Sequence, residues 1–510
     1  MKPRRRATPP GSAGSPGSKI RFFPNDPDAS VGLVPATPIS DQEGEPPFTI
    51  EGRRYAPAPY APGTLAFQYW QGETALRRTI RVWEDLFDRD FATWHDDRPL
   101  RVRLRAGRDL NAFYDRKALQ FFYDTDKVTG RIVYAAESLD VVAHEAGHAV
   151  LDTYQPGYWA TPDPETAAFH ESFADCSSLL VTLTDPAVRR AFLDETEGRA
   201  RGSNLVSRLA EALGRAIHDN YGPGAVSDPT RLRDANNSFR YADPGSLPAS
   251  APDESLASEP HSFSRVFTGA FYDVLVWLIA RALRETPSEA DAAVERGRRL
   301  AGRLLARAIE TLPPGEARYR EIALRMREVD QTEEGGVASI GIEEAFSGHG
   351  IRLPALTLRQ KRSPRYRALR ALDPARLGGA AAIRAVLGLP VRAKLERREW
   401  KPRVGGGVRE QYVHRETISI RNPSLRGVRR IAVVFECGCT LTRGPSGDVE
   451  GASVHPRRDP TPAEIVRWLK PWLKRGEIAP SSGATSKEHF RDKEPFRVGR
   501  SGVLERVYFD

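Results

Sequence analysis

Two histidines four residues apart, His144 and His148, flank a glutamate in the run Val142-Ala143-His144-Glu145-Ala146-Gly147-His148-Ala149-Val150. On a helix, positions i and i+4 share one face about one turn apart. Both imidazoles can then hold a single zinc ion, with the Glu145 carboxyl beside the open metal position. So short a pattern also arises by accident on ordinary helices. Here, however, Glu171-Ser172-Phe173-Ala174-Asp175 follows on a second helix-forming stretch, Glu171 standing 23 residues after His148 (171 − 148 = 23). His144, His148 and Glu171 offer two nitrogens and one carboxylate oxygen, the donor set of a catalytic zinc that leaves a fourth position to water. A structural zinc more often takes four cysteine-rich ligands, and only Cys176 lies nearby. Zinc brings the pKa of such a water toward neutrality, and Glu145 is the base to take its proton during attack on a carbonyl. Asp175, one turn beyond Glu171, suits a hydrogen bond from a ligand imidazole that fixes its tautomer. These residues read as one zinc ion in a metallohydrolase.

The elements that must hold this site belong to a long chain. With 510 residues, two or three domains are expected. A composition of 40% hydrophobic and 28% charged residues is that of a globular protein, and no apolar run is expected to cross a membrane. The basic start, Met1-Lys2-Pro3-Arg4-Arg5-Arg6, leads into Gly, Ser and Pro instead of the apolar segment of a secretory signal. Three cysteines cannot build a disulfide framework and fit a reducing compartment. Cytoplasm is the expected location, with export lacking a classical signal as the alternative.

The formal charge of +9 is unevenly spread. From Leu353 onward there are 33 Lys+Arg against 16 Asp+Glu (33 − 16 = +17), leaving −8 for residues 1–352 (9 − 17). The asymmetry implies a second unit with affinity for an acidic partner or nucleic acid, or simply a solvated arginine-rich surface. No base-stacking aromatic motif accompanies the charge.

Residues 1–45 are rich in Pro, Gly, Ser and Ala and are expected to be disordered. Residues 46–137 read as β-rich, with strands at Arg101–Leu104 and Arg131–Ala135 and one helix near Glu73–Phe91. Residues 138–352 read as helical: Ser138–Thr153 carries the histidine pair, and a second helix starts at Asp163-Pro164 and runs to Leu183. A third begins near Pro260 with Val266, Phe267, Ala270, Phe271, Val274 and Leu278 at helical spacing, as a core face. Tyr221–Glu259 reads as a long loop able to shape a substrate cleft. Residues 353–510 read as a basic α+β domain, with a Gly405-Gly406-Gly407 break, strands at Thr417–Ile420 and Ile431–Phe435, and a helix at Pro462–Lys470. Cys437-Gly438-Cys439 on a strand turns both thiols to one face. His414 or His455 would be needed for a second metal, but no further pair completes a known spacing, so free thiols are expected. Cys176 reads as core. His170 directly precedes Glu171, is expected to point away from the metal, and receives no role.

Further runs resemble the thermolysin family of zinc endopeptidases. Asn111-Ala112-Phe113-Tyr114-Asp115 is similar to that family's edge-strand motif, and Ser138-Leu139-Asp140-Val141-Val142-Ala143-His144-Glu145 to the lead into its zinc helix. Glu165-Thr166-Ala167-Ala168-Phe169-His170-Glu171 resembles the segment of its third ligand. Pro260-His261-Ser262-Phe263-Ser264 looks like the start of the helix whose histidine binds the tetrahedral intermediate, and Arg233 precedes His261 by 28 residues (261 − 233 = 28). Ala345-Phe346-Ser347-Gly348-His349-Gly350-Ile351 resembles the end of the helical lobe. The likeness runs over roughly residues 100–352 with the motifs in order. Two competing patterns fail: Leu151 and Tyr154 occupy the places HExxHxxGxxH needs, and a GAMEN-type exopeptidase signature is missing.

The resemblance implies an α+β fold of two lobes, β-rich then helical, here with an extra basic α+β C-terminal domain. It implies endoproteolysis of peptides or proteins, with Glu145 as base and His261 stabilising the intermediate. Asn111, Ala112 and Arg233 would bind the substrate backbone, and Tyr158 is a further candidate oxyanion donor. Val141 and Leu232 would line an apolar pocket or serve as plain core. Asp140 stands at the place of a family calcium ligand, yet Thr182 replaces its glutamate partner, which weakens the case for calcium. Leu256 fills the place of the acidic partner of His261, leaving Glu254 or Glu259 to substitute. No long inhibitory pro-segment is expected, so narrow substrate choice, restraint by the C-terminal part, or export without a signal would each have to keep a protease in check. Two other readings stand beside it: a catalytically inactive binding or scaffold protein, and an anion-binding adaptor acting through residues 353–510.

Overall fold

The structure, a computed structural model, describes residues 19–39, 46–91, 94, 95, 98–200, 202–226, 228–354, 380–403, 407–421, 430–479, 485 and 493–510. Ser138 starts the first functional helix, Leu139–Tyr154: its hydroxyl accepts from the Val141 N–H at 3.3 Å, satisfying one of the donors a helix start leaves bare. Asp163 does the same for the second helix, Pro164–Thr182, accepting from the Thr166 N–H at 2.9 Å, with Pro164 in the first turn. Both helices are buried almost all round and lie side by side. Gly147 sets how close: a Cβ there would stand 2.5 Å from Ser177 Oγ and 3.0 Å from Ala174 Cα. No other residue fits that contact, and the close approach brings the second helix within reach of both histidines.

A third helix, Pro260–Glu285, packs against Pro164–Thr182 and against Ala290–Thr311. Its expected core face is buried, from Val266 to Leu278. The expectation of no membrane-length apolar segment needs one correction, because this helix qualifies by length and composition. Two-thirds of its apolar window is buried inside the protein, as for a core helix apolar on most sides.

The N-terminal part combines a 23-residue helix, Leu65–Phe87, with a four-stranded sheet in the order Phe48–Ile50, Leu100–Arg103, Ala118–Phe121, Ala112–Tyr114. The helix is stapled to the metal helices by aromatic stacking, Trp83 on Phe173 at 4.4 Å and Phe87 on Tyr154 at 3.8 Å between centroids. The edge strand Ala112–Tyr114 is latched to the helix Leu139–Tyr154. The Tyr114 hydroxyl donates to buried Asp152 at 3.0 Å, and Arg116 pairs with the same carboxylate at 2.6 Å.

The disorder expected for residues 1–45 does not hold for residues 19–39. Ile20–Phe22 and Val34–Ala36 form an antiparallel pair on the long helix. Gln71 grips Phe23 from both sides, accepting from its N–H at 2.8 Å and donating to its C=O at 3.0 Å, and Asp26 accepts from the distant Ala212 N–H at 2.9 Å. Composition cannot reveal partners so far away in sequence. Residues 1–18 and 40–45, and Gly405 and Gly406 of the expected break, lie outside the described residues.

Toward the C-terminus, Glu396–Trp400, Val408–Arg421, Arg430–Arg443 and Val449–His455 form an antiparallel sheet in that order. Helix Pro462–Arg475 follows, opened by a capping box between Thr461 and Glu464, then a small sheet of Ile478–Ala479, Phe496–Val498 and Leu504–Arg506. The apolar core runs across the compositional boundary at Leu353: Val433, Leu469, Trp472, Phe496 and Phe509 join the cluster that contains the helices. Trp472 Nε1 donates to the Pro162 carbonyl at 2.8 Å, just before the Glu171 helix. Several arginines of this basic part are paired, Arg443 with Glu410, Arg415 with Glu436 and Arg457 with Glu416. Cys437 and Cys439 are free thiols in an apolar cluster, pushed up to about 11 and about 12 by burial.

Asp163 caps the Glu171 helix and also takes an ion pair from Arg318 at 2.8 Å. Asp163→Ala is expected to cost about 3 kcal/mol, from a lost cap and a broken, largely buried pair. Urea unfolding with an unchanged m-value measures it; a loss below about 0.5 kcal/mol would contradict this account of the helix start.

Candidate metal centre

His144 Nε2 lies 3.3 Å, and His148 Nε2 3.5 Å, from one oxygen of Glu171. One donor atom from each residue falls within 4.8 Å of the other two. A tetrahedron with bonds of about 2.0–2.1 Å has edges of about 3.3 Å, so these separations suit a single zinc. His148 Nε2 and Glu171 Oε2 are buried and have no hydrogen-bond partner. Buried polar atoms are rarely left so, and a cation bound between them satisfies both at once. The three residues therefore form a donor set fit for a metal ion.

The surroundings favour positive charge at this point. Burial opposes ionisation of Glu171, yet His261 and His148 outweigh it and hold its carboxyl well below the usual range. Burial likewise opposes a charge on His144, but hydrogen bonds to Asp175 and Glu171 hold its pKa up to about 9. His148 goes the other way, to about 4, because its burial dominates. It is a neutral imidazole with a lone pair to give.

Each ligand histidine is held from behind. His144 Nδ1 is 3.1 Å from Asp175 Oδ1, the partner the one-turn spacing implies. Arg233 then pairs with Asp175 at 2.9 Å and comes within 3.4 Å of His144 Nδ1, on the wall of the cleft. Burial opposes the Asp175 anion, but Arg233 and His144 hold its pKa down to about 2. His148 is held by a residue given no role from sequence: His170 Nδ1 lies 2.8 Å from His148 Nδ1. With Nε2 committed to a metal, His148 must donate from Nδ1, so His170 accepts there. The expectation that His170 points away fails because the two helices pack so closely that successive residues, His170 and Glu171, both reach the partner helix.

Glu145 lines the same cleft with a buried, unpartnered Oε2, and burial pushes its pKa up to about 8. His261 stands at the opposite wall, its Nε2 3.3 Å from Glu171 Oε2. Of the two acids available to it, Glu259 is the partner: it caps the helix by accepting from the His261 and Ser262 N–H groups and binds His261 Nδ1 at 2.8 Å. Burial opposes charge on His261, but Glu171 and Glu259 outweigh it and hold its pKa well above the usual range, while its Nε2 meets the Asp510 main-chain oxygen at 2.6 Å.

The cleft holds about 570 Å³, and Asn111, Ala112, Val141 and Leu232 all line it. Tyr158 does not. It is buried in the core with its ring edge-on to Phe169, 6.3 Å between centroids, so the oxyanion role expected for it is withdrawn. The short turn Pro156–Trp159 that carries it packs against both Leu139–Tyr154 and Pro164–Thr182. The Asp140 carboxylate is taken up by Ser138, by the Val141 N–H at 2.8 Å and by the Ala210 N–H at 2.7 Å. Sequence reading also missed the last residues: Asp510 lines the cleft, and Phe509 pairs with the edge strand at Tyr114. The apolar residues Val507-Tyr508-Phe509 beside Asp510 were the available signal.

No family model matches the chain, and no curated protein does. Among solved structures, the precursor of protealysin, a metalloproteinase from Serratia proteamaculans, is similar at a TM-score of 0.35 with 17% identity, over 67% of this chain and 89% of that one. So slight a likeness decides nothing about activity.

His170→Ala is expected to weaken zinc binding by about 10- to 100-fold while the fold persists, as for other residues that orient a metal-bound imidazole. Competition against a chromophoric chelator measures the change, and His170→Asn, which keeps an acceptor, should recover part of it. An unaltered zinc affinity in His170→Ala would remove the orienting role.

Proposed function

We propose that the protein is a zinc-dependent endopeptidase. The observation that carries this reading is one cleft lined by His144 of the His144–His148–Glu171 donor set, by Glu145 and His261, and by Asn111 and Ala112 at the start of the edge strand Ala112–Tyr114. A strand edge binds extended peptide backbone by hydrogen bonds, and the metal donors lie beside the line such a peptide would follow.

Zinc held by His144, His148 and Glu171 supplies Lewis-acid polarisation and an acidified water. Glu145, which lines the cleft beside the donor set, would take the proton from the attacking water and deliver it to the departing amine nitrogen. His261 donates from Nε2 to the oxygen that gains negative charge, held in position by Glu259 through Nδ1. Asn111 and Ala112 hold the substrate backbone, and Arg233, fixed by Asp175, meets a substrate carbonyl at the cleft wall. Val141 and Leu232 supply the apolar surface for a side chain beside the cleaved bond.

Because Asp510 lines the cleft and Phe509 pairs with the edge strand at Tyr114, the test uses both the full chain and a chain ending at Arg506, each loaded with zinc and offered a peptide library. Glu145→Gln is expected to keep one zinc per chain and to lose about 100- to 10,000-fold in cleavage. His261→Ala is expected to lose about 100- to 1,000-fold in kcat, again with zinc retained. If neither chain cuts any peptide although zinc is bound, the endopeptidase reading fails and a metal-holding binding protein remains.

A further inference from the structure

The last four residues have contacts that a merely packed terminus would not need. Phe509 exchanges two backbone hydrogen bonds with Tyr114, N–H to O in each direction at 2.8 Å, in antiparallel register. The inner side of that strand is already paired with Ala118–Phe121, so Phe509 takes the edge available to a peptide. Side chains alternate as on a strand. Tyr508 turns toward Phe113, 5.3 Å between centroids, in a small apolar cluster that also holds Phe122. Phe509 turns to the other face and stacks on His170 at 3.9 Å, with the Arg506 guanidinium 4.0 Å from its ring. Asp510 then delivers its main-chain oxygen to His261 Nε2 at 2.6 Å, with its side-chain carboxylate 3.9 Å from the same nitrogen.

We infer that Tyr508–Asp510 is the resident ligand of this cleft, bound as a peptide substrate would be, and that it must leave before any other chain can enter. The inference rests on reading the cleft as a peptide-binding site. Three features support it. The segment engages His261 Nε2, the donor assigned to the developing oxyanion, so the two uses exclude each other. It covers the edge that substrate backbone needs. Its base is anchored apart from the cleft: Arg506 exchanges hydrogen bonds with Trp159 at 3.1 and 3.2 Å, and Leu504–Arg506 belongs to the small C-terminal sheet. The Val507 N–H donates to the Pro495 carbonyl at 2.8 Å, so the anchor extends to Val507 and the segment from Tyr508 onward can swing out without disturbing the small sheet. The two successive aromatic side chains also describe the ligand chemistry of the cleft, an extended segment with neighbouring aromatic residues.

The test reads binding separately from cleavage. A fluorescein-labelled peptide with the sequence of residues 505–510 is titrated by anisotropy into zinc-loaded Glu145→Gln protein, once as the full chain and once ending at Arg506. A tethered occupant acts at an effective concentration of about 1 mM, so if the peptide binds the shortened chain at about 10 µM, the full chain should bind it about 100-fold more weakly. A peptide with both aromatics replaced by alanine should not bind. In the parent background, removal of residues 507–510 should raise turnover by about tenfold or more, and the added peptide should suppress it. Equal binding to both chains, or no binding to a folded, zinc-loaded shortened chain, overturns the inference. If binding behaves as described but neither chain cleaves, the inference stands and the endopeptidase reading falls; equal cleavage by both chains with no peptide bound gives the reverse. Should the shortened chain fail to fold, Phe509→Ala in the full chain leaves the backbone groups that pair with Tyr114 and removes the ring, with its stacking on His170 and His148 and its contacts with Trp159 and Arg506. It should admit the peptide more tightly than the parent, and unchanged exclusion overturns the inference.

Discussion

One carboxylate oxygen organises the centre of this protein. Glu171 Oε2 is buried, lacks a hydrogen-bond partner, and lies within 3.5 Å of the Nε2 atoms of His144, His148 and His261. A bare anion in such surroundings is costly, and a neutral acid would leave the converging imidazole lone pairs without a purpose. A cation resolves both demands, and much around the site follows from that. Asp175 and Arg233 brace His144, His170 braces His148, and Glu259 braces His261, so each of the three rings reaches the centre with its second nitrogen already committed.

Close approach of two helices makes this arrangement possible. Gly147 sits between the two ligand histidines in sequence and faces Ala174 and Ser177, the turn just beyond Glu171. A methyl group there would push the helices apart and draw Glu171 away from the imidazoles. The same geometry explains why the structure invests in fixed helix starts at Ser138, Asp163 and Glu259: each cap sets the rotation of a helix and thereby the direction of a functional side chain a few residues later. The latch from Tyr114 and Arg116 to Asp152 extends this control to the edge strand, tying the peptide-binding wall to the metal-binding helix.

What was legible in the sequence is what depends on spacing along one helix. The pair His144 and His148, the turn from Glu171 to Asp175 and the buried face of Pro260–Glu285 all follow from a period of 3.6 residues, and the helix start at Asp163-Pro164 follows from capping preference. Glu259 was half legible, as one of two acids near His261, and only the observed cap singles it out. Contacts between elements were not legible. His170 looked idle because helical phase was judged for a single helix, whereas its partner lies on another. Tyr158 was offered as an oxyanion donor through the resemblance, but it is buried against Phe169 and does not line the cleft. Residues 19–39 looked disordered by composition, although Gln71 and Ala212 supply partners across 48 and 186 positions. The charge excess after Leu353 suggested a separate unit, while its apolar residues complete the core of the helical part.

The C-terminal part then has a physical reason to pack where it does. Trp472 reaches the turn before the Glu171 helix, and Arg506 reaches Trp159, so the helix Pro462–Arg475 and the small terminal sheet are each fastened to the helical part. From that base the last residues extend toward the edge strand, and their alternating side chains find an aromatic wall at Phe113 on one face and at His170 on the other. His170 thus serves two contacts at once, bracing His148 through Nδ1 and carrying the ring of Phe509 on its face. Displacing Phe509 exposes the ring that orients a metal ligand, so occupancy of the peptide edge and the setting of the metal centre are coupled through one imidazole. A peptide that restores the stack restores that support, while one that lacks an aromatic residue there leaves His170 facing water. Under the proposed endopeptidase reading, discrimination among peptides would begin at the residue that replaces Phe509, before any bond is broken.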